Sequence, residues 1–398
     1  MELSKRISAL KPSPTVALNT KAKELAKSGH TVFNFAVGEP DFTTHPEIID
    51  VAVKALKEGK TKYGPAGGSP QLRQGIVDKL KRDNQLDFDP NQVVVGMGAK
   101  EILFHLFLSL LNEGDEVLIP APYWVSYTAQ VLAAGGKPVI IPMAEDHNAP
   151  RLTPEMIDAY KTDKTKAIIL TSPNNPAGYV IKKKQMEDIG NYLKDKPWWV
   201  VSDEIYEYMS YAEPHSSIGA LVPELMDRYI LINGLSKGFA MTGWRVGYLA
   251  APQAVAKLVK TLQTQSSTCV PPFIEAASIE ALKRGSSLMA EKMELLKERK
   301  TIAEELINSM EDVTMIPPEG AFYIFIDIRQ ALAKAPGYEG DQSFKFSEYI
   351  LENHHVAMVP GEAFGVPGFL RLSYAASREQ LEEGLSRLAK ALSEVKNG

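Results

Sequence analysis

The chain has 398 residues, 44% of them hydrophobic, and its 44 basic and 49 acidic side chains give a formal net charge of −5. That length allows two or three domains with sizeable cores, and so balanced a charge argues against a nucleic-acid or anionic-membrane surface and for small-molecule chemistry. A lone cysteine, Cys269, excludes an internal disulfide and a cysteine-cluster metal site, and no apolar run reaches membrane-spanning length.

The N-terminal Met-Glu-Leu-Ser-Lys-Arg-Ile-Ser lacks an apolar core followed by a small-residue cleavage site, so a soluble cytoplasmic protein is expected. Residues 1 to about 46 read as an extended arm with one short helix, because Lys11-Pro-Ser-Pro14 opposes helix and Asn19 to Ser28 permits one before Gly29. Val32 to Val37 reads as a strand running into the turn Gly38-Glu-Pro-Asp41. A helix is expected from Pro46 to Gly59, then the loop Lys62-Tyr-Gly-Pro-Ala-Gly-Gly68, in which Tyr63 is either an exposed tip or a side chain reaching into a site. Ser69-Pro70 caps the next helix, with proline in the first turn where its missing amide does no harm.

Val93 to Val95 is a short buried-type strand, followed by Gly96-Met-Gly-Ala-Lys-Glu101 and a helix with Ile102, Leu103, Leu106, Phe107 and Leu110 on its apolar face. Strand, glycine turn and helix together point free amides at an anion. A dinucleotide fingerprint would need a small residue where Glu101 stands, and the chain has no nucleotide P-loop pattern. Strand candidates then recur at Glu116–Ile119, Pro138–Ile141, Ala167–Thr171, Trp198–Ser202, Tyr229–Ile232 and Arg245–Ala250, alternating with helices. The rhythm predicts an α/β fold with a mainly parallel sheet flanked by helices. Polar and aromatic groups follow four of these strands: Pro122-Tyr-Trp-Val-Ser-Tyr127, Ser172-Pro-Asn-Asn-Pro-Ala-Gly178, Asp203-Glu-Ile-Tyr206 and Lys237. Such clustering at strand ends suggests one site.

Beyond Pro271-Pro272, helix is expected to about Met310 with a break near Gly285. Strands at Gly320–Ile328 and Phe369–Tyr374, a helix at Ser343–His354, and a final helix opened by the capping box Ser377-Arg-Glu-Gln380 make a second, smaller α/β domain. The division read from the chain is an arm at 1–46, a large domain at 47–285 and a small C-terminal domain at 286–398.

Within Asn233-Gly-Leu-Ser-Lys-Gly-Phe-Ala-Met-Thr-Gly-Trp-Arg-Val-Gly247, Lys237 follows a buried-type strand. Poor solvation there would favour a neutral amine and Schiff-base chemistry, the alternative being a solvated loop lysine. Taken with Gly38-Glu-Pro-Asp41, Tyr63-Gly-Pro-Ala-Gly67, Pro173-Asn-Asn-Pro176, Ser202-Asp-Glu-Ile-Tyr206 and Arg371-Leu-Ser-Tyr374, the stretch resembles the fold-type I, class I aminotransferases. These enzymes depend on pyridoxal 5′-phosphate, and the match is to their aspartate aminotransferase group, running from the N-terminal arm to the last helix.

The resemblance implies a role for each matching residue. Lys237 would tether the cofactor covalently and shuttle the substrate proton. Asp203 would pair with the pyridine nitrogen, and Asn175 and Tyr206 with the phenolic oxygen. Trp124 would stack on the ring. Arg245, Ser236 and the amides at Gly98 and Ala99 would hold phosphate, joined by Tyr63 from the other subunit of a homodimer. Arg371, helped by the backbone of Gly38, would take the substrate α-carboxylate, and Lys100 would favour acidic side chains. Two departures from the animal-type enzymes, Gly234 in place of a serine and Tyr127 in place of a histidine, fit the bacterial subgroup. The expected reaction is transfer of the L-aspartate amino group to 2-oxoglutarate. Prephenate, aromatic or alanine aminotransferase and a carbon–sulfur lyase are the alternatives on the same scaffold. A cofactor-binding regulator module is disfavoured because no segment remains for a DNA-binding domain.

Overall fold

Strands buried on both faces read as continuous apolar runs, and the large sheet is built from such runs. In the computed structural model, which describes residues 3–142, 152–338 and 342–397, thirteen strands form three sheets. The first, β1 (Phe33–Asn34), lies apart from the large sheet. Then come β2 (Val93–Gly96), β3 (Glu116–Pro120), β4 (Lys137–Ile141), β5 (Thr165–Thr171), β6 (Trp199–Asp203), β7 (Tyr229–Gly234) and β8 (Gly247–Ala250). They make one seven-stranded sheet in the order β2-β8-β7-β6-β5-β3-β4. Only β8 runs against its neighbours, pairing antiparallel with β2 and β7 while the other pairs are parallel. The carboxyl ends of β2, β3, β5, β6 and β7 therefore share an edge with the start of β8. Open α/β sheets bind ligands at that edge.

A second sheet is built from β9 (Thr314–Ile316), β10 (Tyr323–Asp327), β12 (Val359–Pro360) and β13 (Phe369–Ser373), in the order β12-β13-β10-β9 and antiparallel throughout. It packs with the helices Ala290–Asn308, Ser343–His354 and Arg378–Asn397 around a core of its own that includes Leu296, Phe346, Leu385 and Leu388. Between β10 and β13, β11 (Val356–Ala357) pairs in parallel with β1, so the N-terminal arm is stitched to this second unit.

Some boundaries move for identifiable reasons. The arm carries two helices, Lys5–Ser8 and Pro14–Lys27, where one starting at Asn19 was expected; Pro14 takes the first helical position, where proline is tolerated. The expected strand Val32–Val37 pairs only over Phe33–Asn34. The strand expected from Arg245 begins at Gly247, because Arg245 has φ 59°, in the left-handed region. The long helical stretch does break at Gly285, into Pro272–Arg284 and Ala290–Asn308 with a 3-10 turn between. Ser377 and Gln380 exchange the capping-box bonds at 3.3 and 3.1 Å. No helix among the described residues is long and apolar enough to cross a membrane.

A buried polar cluster lies between the helix Pro70–Asn84 and the ends of β6 and β7. Lys79, 1% exposed, donates to Glu207 and, at 2.6 Å, to Asn84 Oδ1. Glu207 also accepts from Asn84 at 2.7 Å and Asn233 at 2.8 Å. Its neighbour Glu204 is held by Ser202, His215, Ser217 and Tyr229 at 2.6–2.9 Å. Each of the two buried carboxylates is thus satisfied by side-chain donors.

Candidate active site

At the carboxyl edge of the seven-stranded sheet is a cavity of about 420 Å³, bounded on its far side by the small-domain sheet and the arm. Four cations, Lys100, Lys237, Arg245 and Arg371, face it with a single carboxylate, Asp203. Such a balance suits an anionic ligand.

Lys237 follows the end of β7, and its amine donates to the Gly38 carbonyl. Burial, with Arg371, Arg245 and Lys100 adding like charge, pulls its pKa down to about 8, and Glu39 opposes the shift. A minor but useful fraction of the amine is therefore neutral near physiological pH, far more than an ordinary lysine would offer. Phe322 lies beneath it, with 5.9 Å from Nζ to the ring centroid.

Asp203 closes β6 and is buried. Its carboxylate accepts from the Tyr127 hydroxyl at 2.6 Å and from the Ile205 amide at 3.3 Å, and Tyr127 also meets Thr171 Oγ1 at 2.8 Å. Burial raises the acid to about 6, while the Tyr127 hydrogen bond and the Lys237 charge act in the opposite direction. A protonated ring nitrogen placed here would relieve that desolvation. Tyr127, which stands in place of a histidine of the animal-type enzymes, thus backs the Asp203 carboxylate.

The helix Ala99–Leu110 starts at the cavity wall, with Gly98 at its cap and φ 90°. Only glycine fits there: a Cβ would stand 2.6 Å from Arg245 Nη2. The start packs equally tightly on β8, since a Cβ at Gly247 would come within 2.1 Å of the Ala99 nitrogen. The Gly98 amide donates to the Gly96 carbonyl at 2.8 Å and the Met97 amide to Glu101 at 2.6 Å. Among the described residues this leaves the amides of Ala99 and Lys100 as the open donors at the terminus. Arg245 is braced over them by Thr242 O at 3.0 Å and Met97 O at 3.2 Å, and Ser236 lines the same wall. Lys100 sets its ammonium 5.0 Å from the Trp124 ring centroid, and desolvation, followed by the Arg245 charge, holds it below the usual lysine range. The Trp124 indole meets Tyr127 edge-on at 5.3 Å.

Arg371, on β13, is 3% exposed. Its Nη1 donates to Asn175 Oδ1 at 3.1 Å and its Nη2 to the Ala36 carbonyl at 2.7 Å, while its buried Nε has no partner among the described residues. Rings of Tyr323 and Phe364 lie 4.6 and 5.2 Å from the guanidinium. The Tyr206 hydroxyl is 3.0 Å from that of Tyr323, and burial holds Tyr206 well above the ordinary phenol range.

Of the residues singled out from the sequence, Gly38, Ala99, Lys100, Trp124, Asn175, Asp203, Tyr206, Ser236, Lys237, Arg245 and Arg371 line this one cavity. Gly98 adjoins it through its contact with Arg245. Tyr63 does not enter it: the side chain is 91% exposed on its own chain. Sequence reasoning missed Tyr323 and the arm residues Ser13, Thr15 and Asn19, which also line the cavity. Tyr323 sits in a run of apolar residues with no polar neighbour to mark it. Open helix amides beside an arginine, an enclosed low-pKa amine, a buried acid and a flat indole form a set that fits pyridoxal phosphate, and the unpaired Arg371 N–H is left for a further anion.

Comparison with known proteins agrees with that fit. Residues 30–388 match the family model for aminotransferase class I and II. The chain is 41% identical to an aspartate aminotransferase of Geobacillus stearothermophilus over 98% of each chain. It is also 41% identical to a probable aspartate/prephenate aminotransferase of Aquifex aeolicus over 99% of each. Among solved structures, the Thermus thermophilus aspartate aminotransferase with maleate superposes with a TM-score of 0.91 at 37% identity, covering 98% of this chain and 100% of that one. The chain therefore belongs to the class I and II aminotransferases, fold-type I enzymes that work with pyridoxal 5′-phosphate.

Proposed function

We propose that the enzyme transfers the amino group of L-aspartate to 2-oxoglutarate, yielding oxaloacetate and L-glutamate by a ping-pong route. The observation that carries this reading is that two cations, besides those suited to the cofactor, open on one cavity: Arg371 beside Asn175, and Lys100 at Trp124. Dicarboxylate substrates need two such partners. The aspartate aminotransferase names of relatives near 40% identity support the same substrate. Those of the aspartate/prephenate type favour prephenate as a second amino acceptor.

Bound pyridoxal phosphate supplies an electrophilic carbonyl and an electron-withdrawing ring. Lys237 provides the nucleophilic amine and then carries the proton on and off the substrate α-carbon. Asp203, held by Tyr127, would keep the ring nitrogen protonated. Asn175 and Tyr206 would bond the phenolic oxygen, and Trp124 would stack on the ring. Arg245, Ser236 and the Ala99 and Lys100 amides would take the phosphate, with Gly98 permitting the arginine's approach. Arg371 takes the α-carboxylate beside Gly38, and Lys100 the distal one.

The division of labour follows the two cores: residues 47–285 hold the cofactor, and 286–398 with the arm at 1–46 carry Arg371 and Gly38 towards it. The exposed Tyr63 serves the phosphate end of a second protomer, which makes the working unit a cytoplasmic homodimer. The visible spectrum of the purified protein, before and after Lys237→Ala, tests the tether. A pH-sensitive band in wild type that the variant lacks is expected, and an unchanged band would overturn it. A coupled assay with aspartate and 2-oxoglutarate, with prephenate as an added acceptor, tests the substrates. Failure of aspartate to donate would sink that assignment.

A further inference from the structure

Tyr323 is completely buried, and none of the roles above uses it, yet it touches three segments of the cavity wall. Its hydroxyl is 3.0 Å from that of Tyr206, its ring lies 4.6 Å from the Arg371 guanidinium, and a Cβ at Gly38 would stand 3.1 Å from its oxygen. Strand parity explains the placement. Tyr323 pairs with Ser373 and Phe325 with Arg371 across β10 and β13, so Tyr323 and Arg371 are diagonal neighbours on one face of the sheet. Tyr206 reaches the same point from beyond β6 of the other sheet.

Two phenols at this distance share one hydrogen between them. If Tyr206 donated to Tyr323, it would have no proton left for a ligand. An anionic oxygen in the cavity is the stronger acceptor and takes the Tyr206 proton. Among the described residues the Tyr323 hydroxyl has Tyr206 as its one hydrogen-bond partner, so its own proton then turns to the Tyr206 oxygen. A hydroxyl that accepts one hydrogen bond donates the next more strongly.

We propose that Tyr323 is a positioning residue for transamination: its hydroxyl donates to Tyr206, aims the Tyr206 proton at the phenolic oxygen of the cofactor, and links that donor to the strand pair carrying Arg371. The inference rests on the roles proposed above for Tyr206 and Arg371. It makes the cofactor's ionisation depend on a side chain that acts through Tyr206.

The test is a pH titration of the visible absorbance of the pyridoxal phosphate-loaded enzyme as wild type, Tyr323→Phe, Tyr206→Phe and the double variant, with melting temperatures taken on the same samples. Tyr323→Phe is expected to move the midpoint upward by about 0.3–0.7 pH unit. Tyr206→Phe should move it further, and the double variant should match Tyr206→Phe. A Tyr323→Phe midpoint equal to wild type overturns the proposal, whatever the melting temperature does. So does a shift that persists in full on the Tyr206→Phe background, because Tyr323 would then act by another route. If Tyr206→Phe alone leaves the midpoint unmoved, it is the role of Tyr206 that fails. Tyr323→Leu carries the same comparison should the phenylalanine variant not fold.

Discussion

The Tyr127 hydroxyl donates to the Asp203 carboxylate at 2.6 Å, and both residues are buried. Tyr127→Phe removes a charge-assisted bond from an acid that burial already disfavours, so Asp203 should ionise less readily. We expect pyridoxal phosphate affinity to fall about 10-fold, the equivalent of ~1.5 kcal/mol. Equilibrium dialysis of the cofactor checks this, and unchanged affinity would remove Tyr127 from the site.

Lys237 has its pKa depressed to about 8, so in the cofactor-free enzyme the neutral, nucleophilic amine grows as pH rises through that value. The rate of pyridoxal phosphate capture, followed by stopped-flow absorbance, should climb with a midpoint near 8 and level off above it. A midpoint in the ordinary lysine range would mean that the amine is solvated.

For Asp203 the sign runs the other way from a salt-bridged acid. Its folded pKa of about 6 lies above the ordinary 3.8, so between these values the cofactor-free native state binds more protons than the unfolded chain. The group's contribution to stability is therefore lost as pH rises through 6. Asp203→Asn should stabilise the cofactor-free protein at pH 8, by on the order of 1–3 kcal/mol, while weakening cofactor binding. Urea unfolding at pH 5 and pH 8 checks the stability effect: because pH 5 lies inside the window from 3.8 to 6, the difference between variant and wild type should be about half as large there as at pH 8.

Arg371→Lys retains the charge and loses the fork. Lysine cannot both bond Asn175 and Ala36 and offer a bidentate face to a carboxylate. A fall in kcat/KM of about 10²–10³-fold for both amino and keto acid substrates is expected, with little change in the cofactor spectrum. Equal losses for mono- and dicarboxylates would assign Arg371 to the shared α-carboxylate.

Lys79→Met strands the buried Glu207 charge without its cation. Breaking one partner of such a pair costs about 3–5 kcal/mol, and urea midpoints should report a loss of that order. Lys79→Met with Glu207→Leu should recover only part of it, since the stranded charge is removed while the Asn84 and Asn233 amides lose an acceptor.

The large sheet was legible because strands covered on both faces must be apolar throughout, so the polar groups that follow them stand out. Asn175, Asp203 and Lys237 could be placed at one edge for that reason. What stayed hidden depends on contacts across the chain. Nothing local marks Tyr323 within its apolar strand, and the parity that sets it beside Arg371 exists only once β10 and β13 pair. The arm was read as mostly extended because prolines at 12 and 14 break helices in general, while Pro14 in particular begins one. Gly98 was expected to offer its amide together with that of Ala99, yet the Gly98 amide donates to the Gly96 carbonyl, a contact no motif announces. Tyr63 is exposed and does not line its own cavity, so the single chain shows no contact that would reveal a role for it.

The pairing of Phe33 and Asn34 with Val356 and Ala357 has a consequence for how the enzyme is made. During synthesis the arm leaves the ribosome first and waits for a partner strand encoded near the opposite end of the gene. The seven-stranded sheet, complete by Ala250, can form in the interval. Ala36 can meet Arg371 only after residue 371 has been made, and a chain that stalls before Val356 would lack the strand that ties the arm bearing Gly38 over Lys237.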